Sequence, residues 1–485
     1  MSVDELSPES SIMHSAMLPF CVCALLLAKL SGAAPAASSS IVSSSVSSSA
    51  ASAVFASSVS PSSGPATTAS DATQSSSFLP ATATVEPVSS ESNVPISGNE
   101  PIRGGLGAPI QGPTDDEMVL QNPDFLAPPT TDHGSFDNVK WPFSLSHNRL
   151  QTGGWARQQN VGVMPIATEM AGVNMRLVPG AVRELHWHKT SEWAYVLKGT
   201  TQISAVDQEG RNYLASVKAG DLWYFPPGIP HSLQATGDDP EGSEFLLVFD
   251  DGNFSEDETF LLTDWLAHTP MEVIQRNFQA LGTDDWNSLP SEELYIFPAG
   301  YVPSDSDTAP SSPQGQVPLP FSFALSDMEA TQLSGGSVKI VDSTIFNIST
   351  ETAVAEVTVQ PGAIREMHWH PTDDEWSFFI EGQARVTVFA SQSNARTFDY
   401  HCPFAATHAG DVGYVPAAMG HYVENIGNTT LKFLEIFKTD KFTDISLNQW
   451  LALTPPELVK AHLGISDETV GRLSKTKPVV AAGSA

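Results

Sequence analysis

The stretch Pro179-Gly-Ala-Val-Arg-Glu-Leu-His-Trp-His188 returns further along as Pro361-Gly-Ala-Ile-Arg-Glu-Met-His-Trp-His370. A match this specific marks a duplication, and it extends outward. Trp141-Pro-Phe-Ser144 parallels Leu319-Pro-Phe-Ser322, and Asp264-Trp-Leu-Ala-His-Thr-Pro270 parallels Gln449-Trp-Leu-Ala-Leu-Thr-Pro455. Each copy therefore reads as running from its own opening segment to a closing helix, over 116–301 and 319–475. Residues 302–318, VPSDSDTAPSSPQGQVP, read as the linker and 476–485 as a tail. Within the copies, Trp193–Leu197, Leu222–Phe225, Phe245–Phe249, Arg385–Phe389, Val412–Val415 and Lys432–Phe437 alternate or run apolar, rich in β-branched and aromatic residues. Gly and Pro separate them at strand-like intervals, which predicts an all-β chain. Two tandem antiparallel β-sandwich barrels with short end helices fit this pattern.

Each copy carries the same chemical order. In the first, Gly180 precedes His186-Trp-His188, Glu192 and Gly199, and then Gly220, Pro226 and Gly228 precede His231; in the second, Gly362, His368, His370, Glu375, Gly382, Gly410, Pro416 and His421 follow suit. Histidines at i and i+2 on a strand point to one face, so both imidazoles reach the same ion. The Glu adds an anionic oxygen, and the distant His arrives on another hairpin. His186, His188, Glu192 and His231 form one predicted metal shell, and His368, His370, Glu375 and His421 the other. Such ligands accept Zn, Fe, Cu, Ni or Mn. Four protein ligands leave room for a substrate on an octahedral ion, which points to catalysis.

Composition narrows the partners. Across 485 residues, 55 Asp and Glu face 23 Lys and Arg, a net charge of −32. That field repels nucleic acid and acidic membrane surfaces. Met17 to Leu30 reads MLPFCVCALLLAKL, too short for an ordinary membrane span, and small residues follow to Ala36. We read 1–36 as a signal peptide and expect export, although Asp4, Glu5 and Glu9 replace the usual positive charge; initiation at Met13 or Met17 would repair this. Residues 37–115, dominated by Ser, Ala and Thr, read as a disordered leader open to O-glycosylation. Cys21 and Cys23 fall in the signal segment, so Cys402 would be the one thiol of the mature chain, expected to be inert.

The glycine-spaced His-x-His, Glu and His motifs resemble those of the cupins and, being doubled, the bicupins. Phe249-Asp-Asp-Gly-Asn-Phe-Ser-Glu-Asp-Glu-Thr-Phe260, Thr263-Asp-Trp-Leu-Ala-His-Thr-Pro270, His421-Tyr-Val-Glu-Asn425 and Phe433-Leu-Glu-Ile-Phe437 are more specific. Through them the chain is similar to the microbial oxalate decarboxylases over about residues 120 to 475. Ala235 departs from the family's Asn and Ala418 from its Gly, but neither removes a ligand.

The resemblance implies two manganese ions per chain, conversion of oxalate to formate and carbon dioxide, and a need for dioxygen without net consumption. On the residues alone, Arg183 and Arg365 read as structural ion pairs, three residues before the first His and facing away from it unless a bulge intervenes. The resemblance implies instead that they bind and polarise oxalate. Glu256, otherwise one of several solvated acids in Ser255-Glu-Asp-Glu-Thr259, becomes the proton-handling residue of a mobile lid. Glu435, on an apolar strand, is the rival proton donor, with raised proton affinity if it faces inward.

Trp187 and Trp369 are expected to pack in the core or to stack between barrels or subunits, as the family's electron route implies. Trp223 is expected to wall the first pocket. No role is assigned to His133, His147, His268, His401, His408 or His462. Asn253, Asn347 and Asn428 begin glycosylation sequons, with Asn253 crowding the lid. Homo-oligomers, trimers or paired trimers, follow from the resemblance only. The rival activity is oxalate oxidase, which yields hydrogen peroxide, and the rival class is a bicupin storage or binding protein.

Overall fold

The computed structural model describes residues 122–279, 283–304, 306–401 and 410–483, with scattered positions between 102 and 119. The expected signal segment, nearly all of the leader, Cys402, His408 and the His401 side chain lie outside the described residues. The leader's end departs from expectation: Ile102–Arg103 pairs with Leu106–Gly107, and Arg103 donates to the Ala127 carbonyl.

Each copy builds two facing sheets. The first has a seven-stranded sheet in the order Ser322–Phe323, Leu222–Phe225, Glu192–Lys198, Ser243–Phe249, Ala171–Leu177, Gly154–Gln159, Asn148–Gln151. Opposite it, a six-stranded sheet runs Asn212–Lys218, Thr200–Val206, His231–Ala235, Ala181–Trp187, Phe260–Leu261, with Ile296–Pro298 also on Ala181–Trp187. The second copy repeats the plan. Thr331–Leu333, Gly336–Val341, Ala353–Val359, Leu431–Phe437, Glu375–Glu381, Asp411–Val415 and Lys140–Pro142 form its seven-stranded sheet. Ala395–His401, Gln383–Phe389, Gly420–Asn425, Ile364–Trp369 and Ile445–Ser446, with Val480–Ala481, form its six-stranded one. Short helices such as Leu262–Ala267, Met271–Asn277, Leu447–Leu453 and Pro456–Leu463 close each copy.

Residue patterns explain the layering. On Thr200–Val206, Thr201, Ile203 and Ala205 face inward while their neighbours face out, the period of a half-covered strand. Ser243–Phe249 is buried at every position because it is covered twice. Phe245, Leu247 and Phe249 enter the first core, whereas Leu246 and Val248 meet Trp376, Leu434 and Ile436 in a core shared between the barrels. This is why Phe245–Phe249 reads as an apolar run, and Phe433–Phe437 as one broken only by Glu435, instead of alternating.

Two boundaries differ from the sequence expectation. The opening segments are exchanged: Lys140–Pro142 pairs with Asp411–Gly413 of the second barrel, and Ser322–Phe323 pairs with Leu222–Trp223 of the first. A buried Lys140–Asp411 ion pair at 3.1 Å reinforces the crossover. Backbone ladders do not read side-chain identity, so the repeat marked the segments but not their partners. The expected tail likewise supplies Val480–Ala481, paired with Ile364 and Arg365.

The turn before each third histidine needs a left-handed residue. Gly228 takes φ 77°, and its N–H donates to the His188 carbonyl at 2.9 Å. In the second copy Ala418 takes φ 64° and donates to the His370 carbonyl at 2.7 Å. A Cβ there is strained, so Ala418→Gly is expected to stabilise the second barrel by about 1 kcal/mol. A denaturant midpoint that fell would contradict this.

Two candidate metal centres

Within each barrel the four predicted ligands converge. His186, His188, Glu192 and His231, and separately His368, His370, Glu375 and His421, place one ligand atom each within 4.8 Å of the others, all buried. His188 and His231 bring Nε2 to 3.2 Å and 3.3 Å from Glu192 Oε2. His370 and His421 stand 3.1 Å and 3.0 Å from Glu375 Oε2.

Backbone carbonyls set the tautomers. In the first centre Nδ1 of His186, His188 and His231 donates to the carbonyls of Glu184, Thr190 and Ile229 at 2.7, 2.8 and 2.8 Å. In the second, His368, His370 and His421 donate to Glu366, Thr443 and Met419 at 2.6, 2.7 and 3.0 Å. Nδ1 therefore carries the proton, and each Nε2 lone pair faces the centre. Nε2 of His368 is buried without a partner, and Nε2 of His231 and His370 faces only the carboxylate of the same cluster, an arrangement that fits a bound cation. Burial, and then the neighbouring Arg183 or Arg365, holds His186 and His368 well below the usual imidazole range, so they remain neutral ligands. Burial opposes ionisation of Glu192 and Glu375, but attraction to positive charge at the facing His231 and His421 outweighs it and holds both carboxyls well below the usual range; a bound cation would take over that role and leave each Nε2 unprotonated.

The arginines reach these centres through the required bulge. His231 pairs with His186 while Leu233 pairs with Arg183, and His421 pairs with His368 while Val423 pairs with Arg365. Three residues on one strand thus span two on the other, turning each arginine onto the ligand face, where both are buried.

From here the copies diverge. Arg183 Nη2 donates to Glu256 Oε2 at 3.2 Å, and the Tyr295 hydroxyl donates to the same oxygen at 2.5 Å. Glu256 lies on a short turn, Glu256–Glu258, capped by Ser255, and is only 7% exposed. The Tyr295 ring also packs beneath the Arg183 guanidinium, 4.2 Å from its centroid. In the second copy Arg365 Nε and Nη2 grip Glu435 at 2.9 and 3.2 Å, and Nη2 also reaches Asp444 at 2.8 Å. Lys477 pairs with Asp444 in turn. Glu435 does face inward, and burial pushes its carboxyl up against the pull of Arg365. Nη1 of both arginines is buried without a partner.

The ligand carboxylates are steadied differently as well. Trp223 Nε1 donates to Glu192 Oε1 at 2.8 Å, and Ser377 Oγ to Glu375 Oε1 at 2.5 Å. Trp223, fully buried in the first core, is thus a ligand-orienting residue. Trp187 and Trp369 lie on the outer faces: Trp187 stacks on Phe260 at 5.6 Å, and Trp369 meets Trp450 edge-on at 5.5 Å. Exposed His133, His147, His268 and His462 approach neither centre.

Sequence reasoning missed Tyr295 and Asp444. The Glu184 N–H donates to the Tyr295 carbonyl and the Glu366 N–H to that of Val479, so Tyr295 and Val479 hold equivalent places, with φ 57° and 55°. Nothing in the duplicated motifs flags a position where the copies differ.

Paired β-barrels, each enclosing a three-histidine, one-glutamate cluster, define a bicupin metalloprotein. The cupin family profile matches residues 145–285 and 324–471. Oxalate decarboxylase OxdC of Bacillus subtilis is 53% identical over 382 residues, 79% of this chain and 96% of that protein. A probable oxalate decarboxylase of Arthroderma benhamiae is 37% identical over 387 residues, 79% of this chain and 93% of that one. A solved structure of a mutant Bacillus subtilis OxdC matches with a TM-score of 0.75 at 52% identity, covering 80% of this chain and 100% of that one. Another, from work on the Mn(II) centres of the same enzyme, gives a TM-score of 0.75 at 52% identity and covers 79% and 99%. The chain belongs to the bicupin oxalate decarboxylase family.

Proposed function

We propose that the chain is a manganese-dependent oxalate decarboxylase, a carbon–carbon lyase, and that its first barrel carries the turnover. The observation that carries this is the Glu256 carboxylate seated on Arg183 and Tyr295 over a complete ligand set. Manganese would be held by His186, His188, Glu192 and His231, and by the matching four residues of the second barrel; with dioxygen present but not consumed overall, it would supply the one-electron chemistry that weakens the oxalate C–C bond.

The protein's own residues do the rest. Arg183 keeps Nη1 buried and free, so it can pair with a carboxylate and favour charge on its oxygens. Oxalate monoanion yields carbon dioxide and formate, so the proton lost from its acid group equals the proton gained by carbon. One carboxylate can carry it both ways, and Glu256 is the carboxylate on a movable turn. Glu435 is pinned by two hydrogen bonds to Arg365, and the nearby Asp444 makes the second centre less welcoming to an anion. Tyr295→Phe, which removes one donor to Glu256, is expected to slow formate production about tenfold. Equal rates for Tyr295→Phe and wild type would remove Tyr295 from the account.

An oxalate oxidase needs no proton delivered to carbon, so a seated Glu256 favours decarboxylation. A storage bicupin needs no ligands, and here both sets are intact. Doubly carbon-13-labelled oxalate decides the matter by NMR. One labelled formate and one labelled carbon dioxide per oxalate are expected; carbon dioxide alone, with peroxide, would make this an oxidase.

Export and assembly are part of the same reading. The apolar run from Met17 and the small residues before Ala36 support secretion, and Asn347 and Asn428 are exposed as glycan acceptors should be. Asn253 is exposed too but sits beside the lid. Matching apolar patches support homo-oligomers: Trp265 and Phe260 are exposed beside Trp187, as are Trp450 and Ile445 beside Trp369.

A further inference from the structure

We propose that Gln158 is the latch that holds the lid closed over the first centre. Its Oε1 accepts the backbone N–H of Glu256 at 3.0 Å, and its Nε2 reaches Ser255 Oγ at 3.5 Å. One side chain thereby grips both the proton-carrying residue and the cap of its turn. The latch hangs from a braced strand. The Gln158 carbonyl accepts from Ser146 Oγ at 2.7 Å, and Ser146 accepts from Trp141 Nε1 at 2.8 Å, a residue on the segment exchanged into the second barrel. Next door, buried Gln159 accepts from Trp376 Nε1 at 2.7 Å, and Trp376 follows the metal ligand Glu375.

The second barrel supplies an internal control. Gly154–Gln159 and Gly336–Val341 share one burial pattern and pair with equivalent strands, so Ile340 and Val341 stand where the first copy has Gln158 and Gln159. Packing alone is satisfied by apolar residues there. The polar pair is retained although Gln159 Nε2 is buried without a partner, and it occurs in the barrel whose arginine is closed over by Glu256. Gln158 is thus a positioning residue acting through Glu256, and its role rests on the decarboxylase reading.

The experiment compares Gln158→Leu, Gln158→Asn and Gln158→Glu in the full, manganese-loaded chain. Leu cannot accept the Glu256 N–H, Asn is too short to reach it, and Glu still can. Hydrogen–deuterium exchange of lid peptides spanning 253–260 is expected to quicken about fivefold in the Leu and Asn variants, as for one lost hydrogen bond, and to stay slow in Gln158→Glu. With oxalate, the same two variants should shift product from formate toward carbon dioxide and hydrogen peroxide, dioxygen taking the electrons when no proton is delivered to carbon. Wild-type exchange and product ratio in both Gln158→Leu and Gln158→Asn would overturn the latch. A wild-type chain that makes no formate would instead sink the decarboxylase reading, and the exchange comparison would still decide for or against the latch.

Discussion

Glu256→Gln is expected to abolish formate production while both centres keep their metal. The amide is nearly the size of the carboxylate, and its oxygen can still accept from Arg183 and Tyr295, so the lid should close as before. It cannot carry a proton to carbon. General acid–base groups contribute roughly 100- to 10,000-fold, and a loss of that order is expected here. Formate per bound manganese is the measurement that checks it. Unchanged turnover would move the proton-carrying role to Glu435.

Arg365→Ala is expected to be the most destabilising change at either centre. Arg365 is completely buried between Glu435 and Asp444, both themselves buried. Its removal leaves Glu435 without a cation in the barrel interior and Asp444 with Lys477 alone. Breaking a buried pair this way costs about 3–5 kcal/mol. Arg183→Ala should cost less stability, because its partner Glu256 sits on a turn whose next residues, Asp257 and Glu258, are exposed to water, but it should cost more in turnover. Denaturant midpoints of the two variants separate these effects, and equal midpoints would contradict the picture of a locked second arginine.

The site was legible where the copies agree and dark where they differ. His-x-His on a strand, a following Glu and a distant His are constraints on facing direction, so eight ligands could be named from spacing. Even the bulge at Arg183 was required, since a flat strand would have aimed the guanidinium away. Tyr295, Asp444 and Gln158 carry no such signal. Their places are defined by what they face: Tyr295 by the carbonyl it offers Glu184, Asp444 by Arg365, and Gln158 by a turn nearly a hundred residues later. The exchange of opening strands was hidden for a related reason. Trp141-Pro-Phe and Leu319-Pro-Phe announce edge segments, but either barrel's edge would accept either one.

One fold, duplicated, thus supports two centres with the same ligands and different surroundings. In the first, Arg183 has one movable partner; in the second, Arg365 is fixed between two acids. The central claim is that turnover belongs to the first. It is tested most directly by formate turnover in Glu435→Gln at full manganese content. The amide keeps an acceptor for Arg365, so turnover within a few-fold of wild type is the predicted result. A collapse comparable to that expected for Glu256→Gln would place the chemistry in the second barrel and contradict the account.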